Sequence, residues 1–133
     1  MEKEFNTKRI KDILELKAQT YFGVPLAEAS KTQIYKAVCM TVRDILTEMR
    51  LEFKRKRKEQ KTKQVYYMSM EFLLGRSLKN HLFNLGLTDV FADAVKPLGC
   101  TLDEPYAIEP DAGLGNGGLG RLAAAYMESL TNL

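Results

Sequence analysis

The sequence predicts a mostly α-helical body with one short strand of the buried type. Three observations carry that prediction. Apolar residues recur at three- and four-residue intervals over two stretches, 8–22 and 34–53. A third such stripe follows a glycine-rich loop near the C-terminal end. Between them lies one run, "VYYMSM" at 65–70, that is β-branched, aromatic and almost wholly apolar.

The first helix is expected over residues 8–22, with Ile10, Ile13, Leu14, Ala18 and Tyr21 on one face. Gly23 and Pro25 stop it. Ser30 with Gln33 reads as a capping box, each side chain placed to satisfy a backbone N–H of the other. It opens a long helix whose stripe is Ile34, Val38, Val42, Ile45, Met49 and Phe53. That helix ends in "KRKRKEQKTK" at 54–63. A basic run can mark a nucleic-acid patch, but no aromatic residues interleave with these charges. The favoured reading is a solvated helix end, whose cations complement the helix dipole.

"VYYMSM" is taken as a strand, and its partner strands are expected outside this sequence or on another copy. The chain therefore reads as a fragment of one larger domain. Short helices follow from Ser77 to Gly86 and from Thr88 to about Pro97 and Gly99. Thr101 with Glu104 is placed to cap another, which Pro105 keeps short. The segments are 1–29, helix and connection; 30–64, the long helix with its basic end; and 65–133, strand, short helices, glycine loop and last helix.

Composition narrows the function. The 133 residues carry 20 basic and 17 acidic side chains, a net +3. That balance gives no reason to expect a nucleic-acid or membrane partner. Two cysteines, Cys39 and Cys100, and a single histidine, His81, stand at no metal-ligand spacing, so no metal is expected. Met1 to Asn6 is charged, no apolar leader follows, and no apolar run reaches the length of a membrane span. The expectation is a soluble cytoplasmic protein.

The chemistry concentrates in "DAGLGNGGLGRLAAAYMESL" at 111–130, with five glycines between Gly113 and Gly120. A dinucleotide fingerprint needs a strand immediately before the loop, and "EPYAIEPDA" with its two prolines does not read as one. A phosphate loop of the Walker type needs Lys and Ser or Thr where Arg121 and Leu122 stand. What remains is a helix starting near Gly118, with a stripe of Leu119, Leu122, Ala123, Tyr126, Met127 and Leu130. Its first N–H groups lack helical acceptors, and glycines would let an anion reach them. A tight turn needed only for packing is the competing reading.

Two stretches, "YYMSMEFLLGRSLKNHLFNLGL" at 66–87 and "EPDAGLGNGGLGRLAA" at 109–124, resemble the N-terminal part of the α-glucan (glycogen, starch, maltodextrin) phosphorylases. Over the first 60 residues the likeness is in helical layout only. The resemblance implies a parent of two Rossmann-like lobes, a GT-B type glycosyltransferase. It implies release of glucose 1-phosphate from α-1,4-glucan ends by inorganic phosphate. The implied cofactor is pyridoxal phosphate, its own phosphate group exchanging a proton with the substrate phosphate. Its lysine anchor belongs to the other lobe, so this chain alone is expected to be inactive.

By the same resemblance, the backbone N–H groups of Gly118 and Leu119 face phosphate and the glucosyl unit. Gly117 and Gly120 make the turn, and Asn116 lies by sugar and cofactor. Glu71 is a carboxylate near the loop, placed to orient the loop or a water. Leu73 is close to the cofactor, where some members have a tyrosine, and Arg76 is structural. Residues 1–29 hold no serine and the chain no tryptophan. The family's phosphoserine and nucleotide-stacking controls are thus not expected; the reading is bacterial-type. A homodimer or other self-association is expected, and the alternative function is a non-catalytic helical self-association module.

Overall fold

The computed structural model describes residues 5–130. The charged residues 1–4 and the last three residues of the segment predicted as 65–133 lie outside the described residues. The chain divides into two compact units, 1–60 with 78–109, and 61–77 with 110–133.

The first unit is helical. α1 spans Thr7–Phe22 and α2 spans Lys31–Gln60; α3 is Leu78–Asn84, α4 is Thr88–Val95 and α5 is Asp103–Ile108. Asn6 caps α1 by accepting the Arg9 N–H at 2.8 Å. Gly23 closes it in the left-handed conformation, its N–H donating to Gln19 O, as the sequence predicts. The capping box of α2 forms in both directions: the Ser30 N–H donates to Gln33 Oε1 at 2.8 Å, and the Gln33 N–H to Ser30 Oγ at 3.3 Å. Thr101 does not cap α5. Leu102 holds the cap position with no side-chain hydrogen bond, and Pro105 sits in the first turn, where its missing N–H costs nothing.

α1 packs on α2 and on α4, and α2 also packs on α5. The core between them holds Ile10, Leu14 and Ala18 of α1, Ile34, Val38, Val42 and Ile45 of α2, and Phe91, Ala94 and Val95 of α4. Tyr21, expected on the inner face of α1, is exposed. Thr41 is the buried polar residue of this core, and its hydroxyl donates to Ala37 O at 2.8 Å. The α2 stripe is buried only as far as Ile45; Met49 is exposed, and so is Phe53, at 65%. The reason is length. Thirty residues make a helix of about 45 Å, well beyond the reach of the sixteen-residue α1. The basic residues at 54–56 are solvent-facing, with Lys56 paired to Glu52 one turn earlier.

The second unit corrects the sequence reading. "VYYMSM" is not a strand: residues 65–70 have no regular secondary structure, with Val65 88%, Met68 91% and Met70 88% exposed. The strand lies just beyond, as β1 (Phe72–Gly75), and its partner lies in the same chain, as β2 (Ala112–Leu114). They pair antiparallel, Phe72 with Leu114, Leu73 with Gly113 and Gly75 with Ala112, with an irregularity between Leu73 and Gly75. Among the described residues there are thus two strands rather than one, and the ladder does not wait on another copy. α6 (Gly118–Leu130) starts where predicted and packs on β1.

Candidate functional site: an open glycine loop ahead of α6

α6 turns an unexpected face to the strands. Its buried residues are Gly120, Ala123 and Ala124, whereas Leu119, Leu122, Tyr126, Met127 and Leu130 of the predicted stripe are exposed. The cause lies beneath it. Leu73 of β1 and Glu71, the residue just ahead of that strand, stand directly under Gly120. A Cβ at Gly120 would come 2.9 Å from Leu73 Cγ and 3.1 Å from Glu71 Cβ. At Gly120 only glycine fits so close an approach, small Ala123 and Ala124 complete the buried face, and the large residues turn away. Tyr126 finds an aromatic neighbour in Tyr67, with centroids 5.8 Å apart, and Tyr67 also meets Phe72 edge-on.

The glycines separate into two kinds. Gly115 has φ +109°, and a Cβ there would lie 2.6 Å from both Cγ and Cδ of Glu71. Gly115 and Gly120 are therefore required by packing on Glu71. Gly120 is the third residue of α6 and makes no turn, contrary to its expected role. Gly117 and Gly118 differ: neither has positive φ, and a Cβ at either would meet nothing within 4 Å. No contact within the described residues calls for glycine at these two positions, although each costs conformational entropy.

The same two residues begin α6. Gly117 O accepts the first helical bond, from the Arg121 N–H at 3.3 Å, which makes Gly117 the cap residue. The N–H groups of Gly118, Leu119 and Gly120 thus precede the helical ladder. Asn caps α1 and a Ser–Gln box caps α2, but Gly117 has no side chain with which to cap α6. The positive end of the helix dipole thus has no side-chain cap, and only the buried Glu71 carboxylate lies against its first turn among the described residues. Asn116 lies in the bend just before it, exposed.

Glu71 sits under the loop rather than in its opening. Its Oε2 is buried and, among the described residues, has no hydrogen-bond partner. That oxygen would lie 3.2 Å from a Cβ at Gly120, so the carboxylate is held against the start of α6, where negative charge is favoured. The structure thus brings Glu71, Leu73, Gly115 and Gly120 together, with Asn116, Gly117, Gly118 and Leu119 forming the open rim. The role of Gly115 as the partner of Glu71 was missed from the sequence. The signal was there in principle: Gly115 stands opposite Glu71 once the strand register is known.

β2 directly precedes the loop, so a strand does stand where the sequence showed none. It has three residues and an antiparallel partner, which is not the parallel strand–helix–strand unit of a dinucleotide site. A shallow apolar depression lined by Phe72, Leu74, Ala112, Gly113 and Leu114 also lies on the strand pair. It offers no charged group. Neither 64–77 nor 110–130 contains a lysine, so these elements do not fit the anchoring of a pyridoxal aldehyde. Cys100 is no nucleophile, since burial pushes its thiol up to about 11. Among the described residues no three His, Cys, Asp or Glu side chains are grouped to hold a metal, and no helix is long and apolar enough to cross a membrane.

The strand pair thus carries a glycine loop into α6, whose first turn no side chain of the cap residue closes. The family model described as carbohydrate phosphorylase matches residues 95–133, which include the loop and α6. The chain belongs to that family, and the curated relatives it resembles are glycogen phosphorylases. It is 40% identical over 130 residues to a glycogen phosphorylase of Bacillus subtilis (strain 168), covering 97% of this chain and 16% of the relative. It is 49% identical over 105 residues to one of Chlamydia pneumoniae, covering 79% and 13%. The brain form of Bos taurus is 44% identical over 105 residues, covering 79% and 12%. The chain therefore spans about one-eighth to one-sixth of the length of these relatives.

Proposed function

We propose that the chain is part of an α-glucan phosphorylase and that its glycine loop supplies backbone donors to phosphate and to the terminal glucosyl unit. The observation that carries this reading is the pair Gly117 and Gly118. They lack side chains at the N-terminus of a thirteen-residue helix, with open space around both and no backbone strain to explain them. A side chain there would block approach to the N–H groups of Gly118 and Leu119. An anion held at those groups gains from the helix dipole and from donors fixed in advance.

In phosphorolysis, a phosphate oxygen bonds to C1 of the terminal glucose as the bond from C1 to the glycosidic oxygen breaks. That oxygen takes a proton and leaves on the shortened glucan. Positive charge builds on the sugar and negative charge on the departing oxygen. The loop's part is to hold phosphate in line and to keep its charge balanced; fixed backbone dipoles do this without reorganising. Glu71 positions the loop from beneath, since Gly115 and Gly120 are fitted to it. Asn116 stands on the rim, with amide donors for a sugar hydroxyl. Pyridoxal phosphate, when bound to the parent enzyme, supplies proton exchange with the substrate phosphate. Its lysine anchor belongs to the second lobe of a two-lobed GT-B type parent, outside this chain, and the chain by itself is inactive. The cytoplasm, where glucan and phosphate meet, is the proposed location.

A second reading is a non-catalytic self-association module, and the exposed apolar residues Val65, Tyr66, Met68 and Met70 favour it. One experiment separates the two. The full-length protein containing this chain, reconstituted with pyridoxal phosphate, is given α-1,4-glucan and inorganic phosphate. Release of glucose 1-phosphate is expected from it and not from the isolated chain. No release from the cofactor-loaded full-length protein would overturn the phosphorylase reading.

A further inference from the structure

We propose that Glu109 is a positioning residue that pins the register of β1 against β2 and thereby keeps Gly115 opposite Glu71. Its catalytic consequence rests on the phosphorylase reading above; its structural content does not. The Leu78 N–H donates to both carboxylate oxygens of Glu109, at 3.1 and 3.2 Å. Leu78 lies three residues after Gly75, and Glu109 three residues before Ala112, which are the last paired positions of the two strands. The side-chain bond therefore falls on the same register as the strand pair. It closes the two chain stretches where backbone pairing has stopped and where Pro110 has no N–H to give.

The strand pair needs such a pin. It has three registered positions and an irregularity among them, and β2 is exposed throughout. Short ladders with no strongly buried face are weakly specified and prone to slip. A slip of one residue has a steric consequence at the loop. Counting on from Phe72 and Leu114, Glu71 stands opposite Gly115, where even a Cβ would come 2.6 Å from its side chain. Moving Leu114 or Asn116 to that position puts a full side chain into the same space.

Three variants of the full-length enzyme test this: Glu109→Ala, Glu109→Gln and Glu109→Asp. Gln keeps an oxygen that accepts from the Leu78 N–H; Asp withdraws the carboxylate by one methylene and serves should Ala fail to fold. Amide hydrogen exchange is followed at residues 72–75 and 112–114, alongside kcat and the KM for inorganic phosphate. In Glu109→Ala, exchange in both strands is expected to quicken about tenfold, the effect of losing one hydrogen bond to a charged group. The KM for phosphate is expected to rise, Asp to fall between wild type and Ala, and Gln to restore most of both. Unchanged strand exchange in Ala or Asp would overturn the proposal. So would faster exchange with unaltered phosphate kinetics, or a Gln variant as impaired as Ala. If the wild-type enzyme shows no phosphorolysis, the functional reading fails, while the exchange result still decides the register claim.

Discussion

Replacing Gly120 by alanine should destabilise the chain, although alanine in place of a helical glycine ordinarily does the opposite. In a helix interior the exchange is worth about 1 kcal/mol in favour of alanine. At Gly120 the added methyl comes 2.9 Å from Leu73 Cγ and 3.1 Å from Glu71 Cβ, where apolar carbons prefer nearly 4 Å. The Leu73 end can swing, but Glu71 Cβ is tied to backbone, so helix or strand must shift. Overpacking of this kind costs about 1–3 kcal/mol, and the upper half of that range applies when backbone has to move. The net expectation is a loss of about 1–2 kcal/mol. Gly118→Ala is the control. It meets nothing within 4 Å and needs no special φ, so it should be neutral or stabilising by up to about 1 kcal/mol. Urea unfolding of both variants reads the difference as a shift in midpoint at constant slope. Equal midpoints for the two would refute the division of the glycines into packed and open kinds.

Three further outcomes are expected. Ser30→Ala removes one arm of the capping box of α2 and should cost about 1 kcal/mol, measured by the same unfolding assay. The ion pair of Lys17 Nζ with Asp44 Oδ2, at 2.7 Å, holds the Asp44 carboxyl below its ordinary value, chiefly through the hydrogen bond from Lys17. Because the folded-state value is the lower one, the stabilisation is present in full above the ordinary carboxylate range. It is lost as pH falls through the lowered value, and since Asp44 is partly exposed it amounts to less than ~1 kcal/mol. Asp44→Asn should therefore weaken the chain slightly at neutral pH and have no effect in strong acid; an effect that persists in acid would contradict the assignment. Finally, the isolated chain should self-associate at micromolar concentration through its exposed apolar residues at 65–70 and on α6. Light scattering that shows a monodisperse monomer at all concentrations would contradict this.

What the sequence made legible follows from how local each signal is. The capping box at Ser30, the Gly23 stop and the start of α6 depend on residues three or four apart, and each formed as read. β-branched and aromatic content predicts a strand at 65–70, whereas a partner distant in sequence, as in the pairing of Leu73 with Gly113, decides where the strand forms. "VYYMSM" has the composition and "FLLG" has the partner. The α2 stripe was overextended for a similar reason, since periodicity shows which face is apolar and not whether anything covers it. α6 shows the same limit: small residues facing Glu71 and Leu73 decided its orientation, against the pull of its leucines. The glycine loop was legible as an anomaly. That two of its glycines answer to Glu71 and two to nothing within 4 Å needed coordinates.

On the phosphorylase reading, the space at Gly118 exists for phosphate. Gly118→Ala in the full-length, cofactor-loaded enzyme tests it most directly, with phosphorolysis followed as a function of phosphate concentration and folding checked by urea midpoint. The expected result is a fold as stable as wild type and a loss of kcat/KM for phosphate of at least about tenfold, since a methyl then stands where an anion must reach the first N–H groups of α6. An enzyme with wild-type stability and wild-type kinetics toward phosphate would show that nothing binds in that space, and would contradict the account.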